Sequence, residues 1–347
     1  MEPWNIGDVV LATPFLRALR RLYPEASISL LGKRHAHVIL EGSGLVDEVI
    51  VCDLPWTASQ NKYPLDSATV WNTRALVRTL RSRNFDLTID ARMDIRSNLL
   101  AALAHARQRV GYSIGGGGWL LNRCMHGDRR DYHKIEDWID LLALLPGGNE
   151  VRFATDRVPF LSISETERSN ARHRLNEIGE LSSPVIGYHP GGSHPAKRWP
   201  LPHFEKLIQE LNDSLRGNHL VFLGPDDREP SHLPDSAVVR RTSLRAMMAE
   251  IACCDVLVCN DSGPMHIADA LGVPVVAIFE IGNPQWYGPS GPRARVIAGE
   301  LAGLGISAAP LDHPPQRPVP VERVVEVVKA LLTVPPPSRP LAASHER

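Results

Sequence analysis

Residues 256–279 restrict the fold of this chain more than any other stretch. An apolar run, Val256-Leu257-Val258-Cys259, ends at Asn260 and passes directly into Asp261-Ser262-Gly263-Pro264-Met265-His266-Ile267-Ala268. After Gly272 a second apolar run covers 275–279. Strands that are apolar on both faces belong to parallel sheets covered on both sides. Pro264 suits the first turn of a helix, and Gly272 suits its end. The stretch therefore reads as strand, helix, strand: a right-handed crossover unit of an α/β protein.

The same alternation runs through the chain. In the first half, residues 14–23 read as an amphipathic helix, with Thr13 as N-cap and Phe15, Leu16, Leu19 and Leu22 on one face. A strand at 27–31, a helix at 35–40, a strand at 48–51, a helix at 71–83, a strand at 87–89 and a helix at 97–105 follow. Gly115 to Gly118 form a turning segment. A helix at 134–145 ends at Pro146-Gly147-Gly148, and the stretch to about 164 reads as an irregular connection. The second half repeats the pattern: helices at 165–178, 202–215, 244–252, 264–271 and 321–332, strands at 185–189, 219–223, 256–260 and 275–279. These 347 residues suit two domains. The division is 1–160, 161–334 and a Pro-rich tail, 335–347, expected to be disordered. A doubly wound domain opens with a strand ahead of its first glycine turn. Only Met1 to Ile6 precede Gly7, so that first strand reads as short or missing.

Composition removes several function classes. The formal net charge is −1, without the basic excess of a nucleic-acid binder. Five cysteines, with no CxxC spacing, read as reduced thiols rather than a metal site. No apolar run approaches the roughly 20 residues of a membrane span, and no signal-peptide pattern opens the chain. The expectation is a cytoplasmic protein, with peripheral contact to the inner membrane at most.

Five segments that follow strands carry chemistry. Asp261, Ser262, Gly263 and His266 stand at a helix N-terminus, where free N–H groups and the positive dipole end suit a phosphate; plain helix capping suits them equally. His189-Pro190-Gly191-Gly192-Ser193 precedes Lys197-Arg198-Trp199-Pro200, joining glycine N–H groups to a lysine point charge. Gly7-Asp8 places a carboxylate after a presumed strand end, where it can act as a base on an acceptor hydroxyl or cap a helix. Asp94 and Arg96, in a run of alternating charges, can contact an acceptor or pair with each other. Asp226 and Asp227, in Gly224-Pro225-Asp226-Asp227 after the 219–223 strand, are placed like the acidic residue that meets a ribose in dinucleotide folds; a plain surface turn suits them equally.

In this order along the chain, these segments resemble the heptosyltransferase family of bacterial glycosyltransferases, family 9. The resemblance rests on Gly7-Asp8-Val9-Val10-Leu11-Ala12-Thr13-Pro14, Phe85-Asp86-Leu87-Thr88-Ile89-Asp90, Arg109-Val110-Gly111-Tyr112, His189-Pro190-Gly191 with Lys197-Arg198-Trp199-Pro200, and Asn260 through Ala268. It implies a GT-B fold: α/β, with two Rossmann-like doubly wound domains facing each other across a cleft. It implies an inverting transfer that needs neither metal nor cofactor, from ADP-heptose to a lipopolysaccharide core sugar or a related glycan, lipid-linked or small-molecule acceptor. Asp8 would be the base and Lys197 would neutralise the diphosphate. His189, Gly191, Ser193, Asp226, Asp261, Ser262, Gly263 and His266 would line the donor site, and Asp94 and Arg96 the acceptor site. The chain departs from the family pattern at Glu280-Ile281-Gly282-Asn283-Pro284, which adds a carboxylate near the presumed donor, and at His133-Lys134-Ile135-Glu136-Asp137. Two other classes remain open at this point: a nucleotide-sugar-binding module without catalysis, and a dinucleotide-dependent oxidoreductase. No GxGxxG follows a strand to favour the latter.

Overall fold

The computed structural model describes residues 5–57, 67–126, 132–177, 184–303 and 317–334. The 335–347 tail lies outside them. The second half is a six-stranded parallel sheet: β6 (Val185–His189), β7 (Asn218–Phe222), β8 (Ala237–Arg240), β9 (Val256–Asn260), β10 (Val275–Gly282) and β11 (Ala294–Ala302), in the order β11-β10-β9-β6-β7-β8. Numbered within this half, that is 6-5-4-1-2-3, the winding of a dinucleotide-binding fold, whose direction reverses between β6 and β9. The first half holds β1 (Ser29–Gly32) beside β2 (Glu48–Val51), and β3 (Leu87–Asp90), β4 (Gln108–Tyr112) and β5 (Arg123–Met125) as a separate three-stranded sheet, all parallel.

Helices cover both sheets. Those of the first half are α1 (Ile6–Leu11), α2 (Thr13–Leu22), α3 (Arg34–Leu40), α4 (Ser67–Ser82), α5 (Ile95–Leu103), α6 (Lys134–Ile139) and α7 (Gly148–Ala154). Those of the second are α8 (Glu165–Asn176), α9 (Leu201–Ser214), α10 (Leu244–Ile251), α11 (Gly263–Ala270), α12 (Pro284–Tyr287) and α13 (Val321–Thr333). Helix α9 illustrates why they form. Phe204, Leu207, Ile208 and Leu211 recur at helical spacing and are all fully buried, each contributing about 1.5–3 kcal/mol.

The sequence expectations need correction in four places. Gly7 and Asp8 do not follow a strand; they lie in α1, whose capping box joins Asn5 and Asp8. Thr13 does not cap α2 but is its first residue; its hydroxyl donates to the Val10 carbonyl at 2.7 Å and accepts the Phe160 N–H at 3.0 Å. Residues 148–154 form α7, where an irregular connection was expected, and Gly147, at φ 70°, makes the turn into it. Strands β4, β5, β8 and β11 were not expected. Their alternation is weak because β8 is only half buried and β11 mostly half buried or exposed.

The halves meet where α1 packs on α11. Two glycines face across this contact. A Cβ on Gly7 would stand 2.6 Å from His266 Cδ2, and one on Gly263 would stand 2.9 Å from Ile6 Cβ. Both helix N-termini therefore approach within backbone distance. One apolar cluster runs through the junction, from Val9, Val10 and Phe15 to Met265 and Ile267. Elsewhere the halves are tied by Arg245, which pairs with Glu167 and donates to the Val38 carbonyl. Gly7→Ala is expected to lower unfolding free energy by about 1–3 kcal/mol through overpacking, read as a lower urea midpoint at unchanged slope. An unchanged midpoint would remove the close approach of α1 to α11.

Candidate active site

The candidate donor site forms at the carboxyl edge of the second sheet, at the reversal between β6 and β9. Asn260 assembles it. Its amide nitrogen donates to the Pro190 and Gly191 carbonyls at 2.8 and 3.1 Å, and its oxygen accepts the Trp199 N–H at 3.0 Å. One fully buried side chain thus joins the end of β9 to the whole loop that follows β6. That loop carries His189 and Gly191 at one end and Lys197 at the other. His189 donates through Nδ1 to the Phe222 carbonyl at 3.0 Å. Burial pushes its pKa down, so the ring is neutral near pH 7.

Lys197 Nζ donates to Asp261 Oδ2 at 2.5 Å, with the lysine side chain 15% and the aspartate 7% exposed. Ser262 is the N-cap residue of α11, but its side chain makes no cap bond; its hydroxyl donates back to the Asn260 carbonyl at 3.1 Å. No side chain caps the start of α11; Pro264 has no N–H and the Met265 N–H donates to the Ser262 carbonyl at 3.2 Å, which leaves the Gly263 and His266 N–H groups for an anion. Gly282, at φ 98°, lies against Asp261, and a Cβ there would stand 3.3 Å from Oδ2.

His266, in the first turn of α11, is almost fully buried and aimed at Gly7. Burial pushes its pKa down to about 4, against the charges of Asp261 and Asp8, which raise it; His133 and Lys197 add to the lowering. All four groups are therefore its electrostatic neighbours, and they come from both halves of the molecule.

On the first-half side, Asp8 accepts the Asn5 N–H through Oδ2 at 3.2 Å and meets Arg92 through Oδ1 at 3.2 Å. Asp8, Leu11, Ala91, Arg92, Lys134, Asp137 and Trp138 surround a recess of about 20 Å³, room for one water or one hydroxyl group. Lys134 is held beside it by Asp137 at 2.8 Å. His133 donates through Nε2 to the Gly288 carbonyl at 2.9 Å, a second bond between the halves. Tyr287 is an electrostatic neighbour of Asp8, Arg92 and Lys134, and burial raises its pKa.

The structure thus brings together Asp8, Lys197, Asp261, Gly263 and His266, with His189, Gly191 and Ser262 in the adjoining loops. The other expected site residues have local partners or face solvent. Asp94 is the N-cap of α5, accepting the Arg96 N–H at 2.9 Å and pairing with its guanidinium, which lies over Trp56 with 5.8 Å to the ring centroid. Ser193 and Asp226 are exposed. Asp227 turns inward instead: its carboxylate accepts the Gly224 N–H at 2.8 Å and comes so close to Gly191 that a Cβ there would stand 2.2 Å from it.

Glu280 is not at the donor site. Its Oε1 accepts the Val319 N–H at 2.8 Å, its side chain is fully buried against Gly299, and burial raises its pKa. Sequence reasoning gave no individual role to Asn260, Lys134 or Asp137, and it took in Arg92 and Asp227 only as members of their charged segments. Arg92 carried a usable signal, standing two residues beyond the end of β3.

The profile of Glycosyltransferase family 9 (heptosyltransferase) matches residues 73–303. The chain belongs to glycosyltransferase family 9. It is a glycosyltransferase, and its architecture is the GT-B fold of two Rossmann-like domains. It is 28% identical over 313 residues to lipopolysaccharide heptosyltransferase 2 of Escherichia coli K12, covering 85% of this chain and 86% of that one. It is 29% identical over 351 residues to lipooligosaccharide heptosyltransferase 2 of Campylobacter jejuni serotype O:2, covering 95% and 96%. The structure of E. coli ADP-heptose lps heptosyltransferase II superposes with a TM-score of 0.73 at 27% identity, over 95% of this chain and 97% of that one. Family 9 membership removes the oxidoreductase reading. Among the described residues of this transferase, no helix is long and apolar enough to cross a membrane.

The buried histidines set a pH dependence. His266 and His219 each have pKa near 4, against the ordinary 6.5. Below 6.5 the unfolded chain binds protons that the native protein does not, so stability falls as pH drops from 6.5 toward 4 and is fully present above 6.5. His266 alone is expected to cost on the order of 2 kcal/mol by pH 5. His266→Gln is expected to flatten the fall in thermal midpoint between pH 7 and 5; a profile parallel to the parent protein's would show that His266 is not buried neutral.

Proposed function

We propose that this transferase moves a heptose from ADP-heptose to a hydroxyl of a lipopolysaccharide core sugar or related glycan, with inversion and without a metal. The observation that carries the proposal is the meeting of Asp8 with Lys197, Asp261 and the open N-terminus of α11 around His266. The Asp8 carboxylate lies on one side of the cleft, and a lysine and a helix N-terminus that can donate hydrogen bonds lie on the other. An inverting displacement needs this division.

On this reading Asp8 removes the proton of an acceptor hydroxyl that enters the recess beside Arg92 and Lys134. Arg92 holds the carboxylate in place. The oxygen attacks the anomeric carbon from the face opposite the leaving diphosphate. The bond from that carbon to the diphosphate oxygen breaks, and negative charge grows on the phosphate. Lys197 and the N–H groups of α11 stabilise that charge in a site from which water is largely excluded. Asp261 holds Lys197 before the donor arrives, sparing the site a free buried cation. A neutral His266 packs beside both carboxylates without adding a charge. Glu280 points away toward Val319 and does not stand against an ADP-heptose donor. The names of the E. coli and C. jejuni relatives support the donor and acceptor classes.

Asp8→Asn is expected to lower turnover at least ~100-fold while ADP still raises the thermal midpoint in the presence of a chelator. Lys197→Ala is expected to weaken that ADP-dependent rise as well. Turnover retained in Asp8→Asn would remove Asp8 as the base. Loss of both turnover and ADP response on adding chelator would overturn the metal-free reading.

A further inference from the structure

Glu280 brings a carboxyl group into the core of the second half, and the proposed reaction leaves it without a role. It is fully buried near the end of β10. Opposite it the pairing of β10 with β11 shifts register. Phe279 pairs with Ala298 but Ile281 with Leu301, so Gly299 and Glu300 face the single residue Glu280. This bulge leaves room for the side chain, since a Cβ on Gly299 would stand 2.7 Å from Oε2. Oε1 accepts the Val319 N–H at 2.8 Å, and Oε2 has no hydrogen-bond partner among the described residues. A buried carboxyl with one hydrogen bond disfavours folding relative to an apolar side chain of similar size. The bond to Val319 is the contact through which Glu280 can act.

We propose that Glu280 is a positioning residue for Lys197, acting through Val319 and Trp199. The proposal rests on the role given above to Lys197, which holds the leaving diphosphate. The first observation is local to Val319. It stands between Pro318 and Pro320, and proline has no N–H. The Val319 N–H is therefore the one backbone donor of residues 318–320, and Glu280 accepts it. A proline also keeps the residue before it extended, so this short segment ahead of α13 is stiff. The second observation is on its other side. The Val319 carbonyl accepts the indole N–H of Trp199 at 2.8 Å. Val319 is thus gripped between a carboxyl from β10 and an indole from the loop that follows β6.

The third observation joins that grip to the donor site. Trp199 is 1% exposed, with its ring edge-on to Phe204 at a centroid separation of 5.0 Å. A buried indole N–H needs an acceptor, so the place of the Val319 carbonyl decides how the ring lies. The main chain of Trp199 is held separately, by its N–H to Asn260 Oδ1 at 3.0 Å. One bond to Asn260 fixes a single point of the loop and leaves the loop able to pivot about it. The bond from the ring to Val319 fixes a second point and removes the pivot. Lys197 lies two residues before Trp199, so both points set where its side chain begins. From there Nζ reaches Asp261, the residue after Asn260. Loss of the acceptor at Glu280 would free Val319, then the ring, then the approach of Lys197 to the diphosphate.

The test is a double-mutant cycle read by calorimetric titration of the full-length chain with ADP. Glu280→Leu removes the acceptor and keeps an apolar side chain in its place; Glu280→Gln keeps an acceptor oxygen without the charge that burial disfavours. Glu280→Leu is expected to weaken ADP binding about 10-fold or more, and Glu280→Gln to stay within about 3-fold of the parent protein. In a Lys197→Ala background, Glu280→Leu is expected to weaken binding further by less than about 3-fold, because the lysine it would misplace is gone. A purely structural role would lower the thermal midpoint and leave the affinity of the folded protein unchanged. Parental affinity in Glu280→Leu overturns the proposal. So does a loss of equal size with and without Lys197, or a loss in Glu280→Gln as large as in Glu280→Leu. Parental affinity in Lys197→Ala alone would instead overturn the role of Lys197 in the reaction, and the proposal with it. If Glu280→Leu does not fold, Trp199→Phe, which removes the indole N–H and keeps an aromatic ring, takes its place in the cycle with the same expectations and the same overturning results.

Discussion

The structure depends on the close approach of two helix N-termini, α1 and α11, each able to reach the other because a glycine faces it. Without a side chain on Gly7, the His266 ring can lie against the α1 backbone; without one on Gly263, Ile6 can lie against α11. A Cβ in either place would push the helices apart by a few tenths of an ångström or more. That is enough to loosen the apolar cluster that runs through the junction, since packed interiors respond to single methylene groups. The junction also brings a carboxylate from one half beside a lysine, an aspartate and an open helix end from the other. Fold and chemistry rest on the same contact.

Around that junction polar groups are arranged so that little charge is buried alone. Lys197 is matched by Asp261, Asp8 by Arg92 and Lys134 by Asp137. His266 and His189 stay neutral because burial makes protonation costly. Asn260 has a different role. Its amide is committed on both ends to backbone groups, so it holds the loop shape whether or not ligand is present.

Much of this was legible in the residues. The apolar runs and their spacing specify a parallel α/β architecture because strands covered on both faces have to be apolar throughout. The segment from Asn260 to Ala268 marks the reversal point of the sheet because a helix with glycine and proline in its opening turn directly follows a buried strand. The partners of Asp94 and Arg96 were legible as an alternative, and that alternative is the one the structure contains. Less was visible where local pattern is weak. Strands β8 and β11 carry mixed burial, and α1 is too short for its periodicity to stand out from the turn expected at Gly7.

By itself, then, the sequence determined the class of fold, the order of its strongly periodic elements and the residue types suited to a diphosphate and to a proton, because these follow from local periodicity and chemical identity. Only the tertiary structure decided which of them meet. Asp8 lies 253 positions before Asp261 in the chain, and their proximity depends on how two domains pack. Asp227 rather than Asp226 faces Gly191, and Glu280 turns to Val319 rather than to the donor, because side-chain direction at a strand end is set by packing across the sheet. No pattern along the chain encodes that.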